Sequence, residues 1–237
     1  MPEDILSIYH RRLQYDPIDA DLVGRQQQTV VEIGNRDRTG ESALEIAKSA
    51  LSLADRLIGQ YESTQSLPKP IVCQPGCPFC CSNQVELSPP EALLLGDYVA
   101  RRFSPEAKRE LLAGIAGNLR LRAGKTKPEL APLRPELLCP LLQEGSCSVY
   151  PVRPLFCRAH HSLDVTQCRR EFRAEKVAEF EFYSHRYEIM LSLRAGLLAG
   201  CRAIGCQAQV LDHVEALQVC LSTAGLAERW LKGEQVF

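Results

Sequence analysis

Cys73-Gln74-Pro75-Gly76-Cys77-Pro78-Phe79-Cys80-Cys81 interrupts a chain whose pattern is otherwise helical. Proline and glycine inside this run exclude a helix or strand interior and leave a stiff, irregular turn carrying four thiols. A second block follows as Cys139-Pro140-Leu141-Leu142 and Cys147-Ser148-Val149-Tyr150-Pro151-Val152-Arg153-Pro154-Leu155-Phe156-Cys157-Arg158. The two blocks hold seven of the eleven cysteines, and Cys168 is an eighth candidate. Thiolates this close together on short turns are the donor set of a soft metal.

Working outward, the segment before residue 66 reads as helix. Ala43, Leu44, Ala47, Ala50, Leu51, Ala54, Leu57 and Ile58 recur at three and four residues, laying one apolar stripe on a helix of about six turns. Two shorter amphipathic stretches precede it, near Ile5–Leu13 and Asp21–Ile33, parted by Asp16-Pro17. Thirteen of the fifteen prolines lie between Pro68 and Pro154, which confines irregular backbone to the middle of the chain. Within it, Ser88-Pro89-Pro90-Glu91 is a capping box opening a helix over Ala92–Phe103, and Ser104-Pro105 opens the next through Arg122. Lys108, Arg109, Arg120 and Arg122 on that second helix read as a solvated face opposed by Glu106 and Glu110. Lys127–Leu138, broken by prolines, reads as an extended connection. Asp164 caps a helix from Val165, and apolar spacing resumes from Lys176, with Gly196, Gly200 and Gly205 as close-packing points or kinks. The expected fold class is all-α: a helical domain with an irregular, proline-rich cysteine-cluster insert that binds metal. Residues 1–66 form an N-terminal helical segment, 67–175 the cysteine-cluster domain, and 176–237 C-terminal helices packing on the same domain.

A chain of 237 residues buries a core without metal or disulfides, so the metal is an addition to the fold. A net charge of −1 gives no bulk electrostatic case for nucleic acid or an anionic membrane as partner. The start of the chain has no signal-peptide pattern and no apolar run reaches membrane-spanning length, so a cytoplasmic location is expected. In that reducing compartment an odd number of cysteines reads as metal ligation rather than a disulfide framework.

Cys73, Cys77 and Cys80 can face one point on their turn. Adjacent side chains diverge, so Cys81 is either a spectator or reaches a different metal in a polynuclear site. Cys139, Cys147, Cys157 and Cys168 are spaced by eight, ten and eleven residues, too wide for a local knuckle, and fit a chain that passes one centre several times. The candidate ligands are therefore Cys73, Cys77, Cys80, Cys81, Cys139, Cys147, Cys157 and Cys168. Arg153 and Arg158 flank the second block and would offset thiolate charge, with ordinary ion pairing as the competing role. His160 and His161 read as an exposed pair and not as ligands, while Tyr150 and Phe156 either shield the site or serve packing alone, two readings that fit equally well. Cys201, Cys206 and Cys220 sit among apolar neighbours and read as small buried hydrophobes.

The order Cys73-x3-Cys77-x2-Cys80-Cys81, then Cys-Pro-Leu-Leu and Cys-x-Val-Tyr-x-x-Arg-Pro-x-x-Cys-Arg, resembles the YkgJ-type cysteine-cluster family, described as zinc- or iron-chelating. Tyr150, Arg153, Pro154 and Arg158 fall on that pattern, and the resemblance covers about residues 70–170. It implies a metal or iron–sulfur centre held by these cysteines. Some members of the family are flagellin lysine N-methylases, but only the cysteine module is shared here.

The function these features favour is a cytosolic metal-binding protein with a redox or metal-handling role, its protein partner unknown. An iron–sulfur cluster of [4Fe-4S] type is favoured over zinc, because structural zinc sites usually present paired C-x2-C knuckles and eight cysteines exceed one zinc's need. The alternative is a cluster-dependent enzyme, methyltransferase-like or radical S-adenosylmethionine-like. The latter shares a C-x3-C-x2-C motif with an aromatic before the last cysteine (Phe79), but needs alternating strands and helices downstream, where this chain is helical. A thiol switch through Cys80-Cys81 ranks last, since vicinal disulfides are strained.

Overall fold

The computed structural model describes residues 18–175 and 180–237. The stretch Ile5–Leu13, the Asp16-Pro17 break and the start at Lys176 lie outside these residues. In chain order the elements are α1 (Ala20–Arg36), α2 (Gly40–Thr64), a 3-10 turn (Phe79–Ser82), β1 (Glu86–Leu87), α3 (Pro89–Arg102) and α4 (Pro105–Arg122). They continue with α5 (Lys127–Leu130), a 3-10 stretch (Ala131–Glu136), β2 (Leu142–Gln143), β3 (Ser146–Cys147), a 3-10 turn (Tyr150–Val152), α6 (Leu155–Ala159) and α7 (Val165–Phe172). The last are α8 (Ser184–Ala203), β4 (Leu211–Asp212), α9 (His213–Ser222) and α10 (Leu226–Leu231). The protein is all-α as expected, and its described strands are two-residue pieces in two antiparallel pairs, β1 with β4 and β2 with β3. No described helix is long and apolar enough to cross a membrane.

Helix starts follow local chemistry. Asp19 accepts from the Leu22 amide, Ser104 from that of Ala107, and Asp164 from that of Thr166, so α1, α4 and α7 begin where a short polar side chain can occupy a free donor. The connection over Lys127–Leu138 is not extended. Thr126 and Glu129 form a second capping box, the Glu129 carboxylate taking both the Thr126 amide and hydroxyl at 2.7 Å. Prolines at the opening positions of a short helix and of a 3-10 stretch cost it nothing, because the missing N–H has no partner there. On the solvated face expected for α4, Arg109 bonds Glu106 at 3.0 Å and Lys108 the Ala100 carbonyl at 2.6 Å, both in the open, whereas Arg122 is largely buried in its clamp on Asp212.

Two apolar clusters carry the molecule. The first joins α1, α2, α6, α8 and α10 through Val30, Ile46, Ala50, Leu155, Leu197 and Trp230. The second joins α3, α4 and α9 through Leu95, Val99, Ile115 and Leu217. In the first, α8 lies directly on α1. A Cβ at Gly196 would sit 2.5 Å from the Val23 carbonyl oxygen, and one at Gly200 would sit 2.4 Å from the Val30 Cβ. These glycines are close-packing points, while Gly205, at φ +74, ends the helix in the left-handed region. Gly196→Ala should therefore destabilise by overpacking, by about 1–3 kcal/mol. Gly59→Ala, on an exposed helix position with open space around it, should instead stabilise by about 0.5–1 kcal/mol. Urea midpoints of the two variants moving in opposite directions would verify the seam; a neutral Gly196→Ala would refute it.

Candidate metal centre

The first cysteine block is built around backbone turns. The Cys77 amide bonds the Gln74 carbonyl at 3.2 Å with Gly76 at φ +87, and the Cys81 amide bonds the Pro78 carbonyl at 2.9 Å. The second block is held against it, its Cys139 amide donating to the Cys81 carbonyl at 2.7 Å. Cys147 lies on β3 opposite Leu142, whose own amide returns to the Cys139 carbonyl at 2.9 Å. The hairpin tip at Gly145 rests on the Gly76 turn. Cys157 sits on α6 and Cys168 on α7, and α7 packs on the Phe79–Ser82 turn with Phe172 edge-on to Phe79, ring centroids 5.5 Å apart.

Every cysteine is a free thiol. Cys80 is the common neighbour. Its pKa is raised by its hydrogen bond with Cys81 and by burial, and its own charge would raise those of Cys73, Cys139, Cys147, Cys157 and Cys168. Burial pushes Cys139 up to about 12 and Cys168 up to about 11, and it raises Cys157 well above the usual thiol range. Cys80 opens to solvent on one side and is packed by protein on the others. Cys201 and Cys206 lie in the first apolar cluster and Cys220 against Gly96, away from this gathering.

The two arginines of the second block separate. Arg158 is 7% exposed and points away from the thiols. It bonds the Asp55 carboxylate at 2.5 Å, the Arg153 carbonyl at 2.9 Å and the Pro151 carbonyl at 2.7 Å. Arg153 turns toward the cysteines, where its charge opposes the rise in the pKa of Cys80, Cys147 and Cys157. Its guanidinium lies 4.0 Å from the Tyr150 ring centroid, and its buried Nε has no hydrogen-bond partner. Tyr150 itself is 60% exposed and shields nothing, and Phe156 belongs to the first apolar cluster rather than to the thiols.

His160 and His161 are not surface residues. His160 faces Asn83 at 2.9 Å through Nε2 and Tyr187 at 3.1 Å through Nδ1. His161 Nδ1 bonds the Ala159 carbonyl at 2.7 Å, and its Nε2 accepts from the Tyr183 amide at 2.9 Å. With both nitrogens engaged, neither ring offers a lone pair to a metal.

The donor set suits a thiophilic metal: eight sulfurs, with an unsatisfied cationic N–H on Arg153. As the side chains are placed, no three Cys, His, Asp or Glu among the described residues stand in an arrangement that holds an ion. The Cys139–Cys81 backbone hydrogen bond joins the two blocks, and ligation would need their side chains to turn into other staggered wells about Cα–Cβ. Sequence reasoning gave no role to Ser162, whose carbonyl accepts from the Val72 amide at 3.1 Å next to Cys73 and whose hydroxyl caps the turn at Asp164. It missed Asn83 too, which ties the Cys80 turn to His160. Neither lies in a spacing pattern that signals a partner across the fold.

Residues 72–183, just under half of the chain, match the family model described as "CxxCxxCC: Putative zinc- or iron-chelating domain". No curated protein and no solved structure matches the chain significantly.

Burial lowers the pKa of His160, His161 and His213 from 6.5 to about 4. Unfolded histidines take up protons as pH falls through their ordinary value, whereas the folded ones stay neutral until about pH 4. Their contribution is therefore complete above about pH 6.5 and is lost progressively on the way down to about pH 4. Melting temperatures should fall across this window, and the fall should be shallower in His213→Gln. A melting temperature flat over the window would contradict the neutral, buried assignment.

Proposed function

We propose, from the cysteine-cluster domain that residues 72–183 of this chain carry, that the protein holds a thiolate-bound iron–sulfur centre and serves a redox or metal-handling role in a reducing, cytosol-like compartment. The domain's family supports metal chelation in general, and the ligands proposed are Cys73, Cys77, Cys80, Cys81, Cys139, Cys147, Cys157 and Cys168. The carrying observation is the gathering of both cysteine blocks around Cys80, on a face where Cys73 and Cys80 reach solvent. Structural zinc sites usually present paired C-x2-C knuckles, and this chain has a single one, Cys77-Pro78-Phe79-Cys80. A centre at the surface can exchange electrons or metal with a partner, and Arg153 offsets part of the charge that bound thiolates carry. The division into segments 1–66, 67–175 and 176–237 belongs to this proposal, with the helical segments as the frame.

The two apolar clusters contain no ligand that the fold needs in order to close, since Cys139 and Cys147 only border the second. Protein purified without oxygen should contain iron and acid-labile sulfide in equal amounts, with broad visible absorption. Zinc without sulfide would overturn the iron–sulfur assignment, and protein free of any metal would overturn metal binding itself. Stripping the metal under reducing conditions should leave the far-UV circular dichroism nearly unchanged, because the helical frame buries its own core. Collapse of the helical signal would instead make the metal a structural one.

A further inference from the structure

Cys201 and Cys206, apart from the proposed metal ligands, are joined by the turn that ends α8. The Cys206 amide donates to the Cys201 carbonyl at 2.9 Å and the Gly205 amide to the Arg202 carbonyl at 3.0 Å, with Gly205 at φ +74. This pair of bonds around a left-handed glycine is the Schellman ending, in which the side chains of the two outer residues meet. Here both outer residues are cysteines. Standard bond lengths and angles on either side of the 2.9 Å bond hold their Cα atoms no more than about 6 Å apart, within the range a disulfide spans. The two thiols differ in access and in charge. Cys201 is fully buried in the first apolar cluster, while Cys206 is 6% exposed and Arg202, Ala203 and Gly205 of the same turn face solvent. Arg38 extends its guanidinium to the Ile204 carbonyl at 2.8 Å and to the Leu231 carbonyl at 2.7 Å, and the Cys206 thiol donates to that same Leu231 oxygen at 3.9 Å. A cation and the Cys206 sulfur therefore share one acceptor.

We propose that Cys206 and Cys201 form an oxidisable dithiol, separate from the metal centre, which hydrogen peroxide converts to a disulfide closing the last turn of α8. Nothing in this depends on a bound metal. In the first step the Cys206 sulfur attacks the O–O bond; the sulfur is oxidised to a sulfenic acid, and the second oxygen leaves as water with the thiol proton. In the second the Cys201 sulfur displaces the sulfenic hydroxyl, which leaves as water with the Cys201 proton. The peroxide is reduced to two waters, and the two electrons it takes come from the two thiols. Arg38, already fixed on two carbonyls, sets the order, because a cation beside a thiol favours the attacking thiolate. Burial raises the Cys206 pKa and Arg38 opposes the rise, whereas burial and then the nearness of Cys206 raise that of Cys201. Cys206 is thus the thiol that meets peroxide and Cys201 the one that resolves it.

Peptide mapping of the full chain tests this. The folded protein is treated with hydrogen peroxide, quenched, alkylated in denaturant and digested with trypsin. Cleavage after Arg202 falls between the two cysteines, so the bridge appears as two joined peptides that separate on reduction. Fragmentation tells Cys206 from Cys220, which shares its peptide. Cys201 and Cys206 should be joined to each other in most molecules. Cys201→Ala should leave Cys206 as a sulfenic acid that dimedone captures, and Cys206→Ala should leave Cys201 reduced. Far-UV circular dichroism establishes that each variant is folded, and where one is not, the wild-type map decides alone. Cys201 and Cys206 both remaining alkylatable after peroxide, Cys206 joined to a different cysteine, or dimedone on Cys201 in the Cys206→Ala protein would each overturn the assignment.

Discussion

Backbone groups in a segment that forms no ladder of its own must find partners elsewhere, and here buried charged side chains supply them. Arg158 and Glu91 are the two that matter most. Arg158 reaches from α6 to the Pro151 and Arg153 carbonyls while Asp55 on α2 balances its charge. Glu91, 2% exposed on α3, accepts from the Ser88 amide and hydroxyl and from the Leu155 amide at 2.8 Å, tying the start of one helix to the start of α6. Charged hydrogen bonds of this kind are worth roughly twice neutral ones, and losing a partner leaves a buried charge unsatisfied. The cysteine turns keep their places because these two residues anchor the chain on either side of Cys157 to helices that have a core.

The long elements were legible because they obey periods and caps. The apolar stripe of α2, the capping box at Ser88 and the caps at Ser104 and Asp164 all lie within a few residues of the structure they specify. The same rules would have identified the Thr126–Glu129 box; the prolines beside it drew the reading toward an extended strap. What was not legible depended on distance in sequence. Arg153 and Arg158 look alike in the motif, yet one meets Asp55, about a hundred residues away, and the other meets the thiols. His160 and His161 look like a turn pair, and only the return of α8 shows that Tyr183 and Tyr187 enclose them. Spacing names eight candidate thiols, but the hydrogen bond from the Cys139 amide to the Cys81 carbonyl, which ties the second block to the first, is something no spacing encodes.

Frame and insert therefore divide the work. Close contact of α1 and α8 through Gly196 and Gly200 buries apolar surface efficiently and leaves the metal no part in closing the core. The cysteine turns, for their part, rest on the second cluster through Leu141 and Val149 and tolerate a backbone that helices could not adopt, with Gly76, Gly145 and Glu144 all in the left-handed region. An irregular loop on a rigid scaffold is the usual place for a binding site, since the scaffold absorbs the entropy of ordering it.

The thiol pKa values set the terms on which a metal enters. Burial and mutual charge raise the pKa of Cys139, Cys157 and Cys168, so each of these that ligates a metal must release a proton, and affinity rises with pH. Arg158 cannot ease that step, because Asp55 already balances its charge. Arg153 can, because its Nε is buried and unpaired beside Cys147 and Cys157, and an anionic sulfur is the partner it lacks. Its exposed neighbour Tyr150 lies against the opposite side of the interaction, with its ring under the guanidinium plane. The motif's two arginines thus differ in surroundings: Asp55 satisfies Arg158, whereas the Arg153 guanidinium rests over the Tyr150 ring with its Nε unpaired.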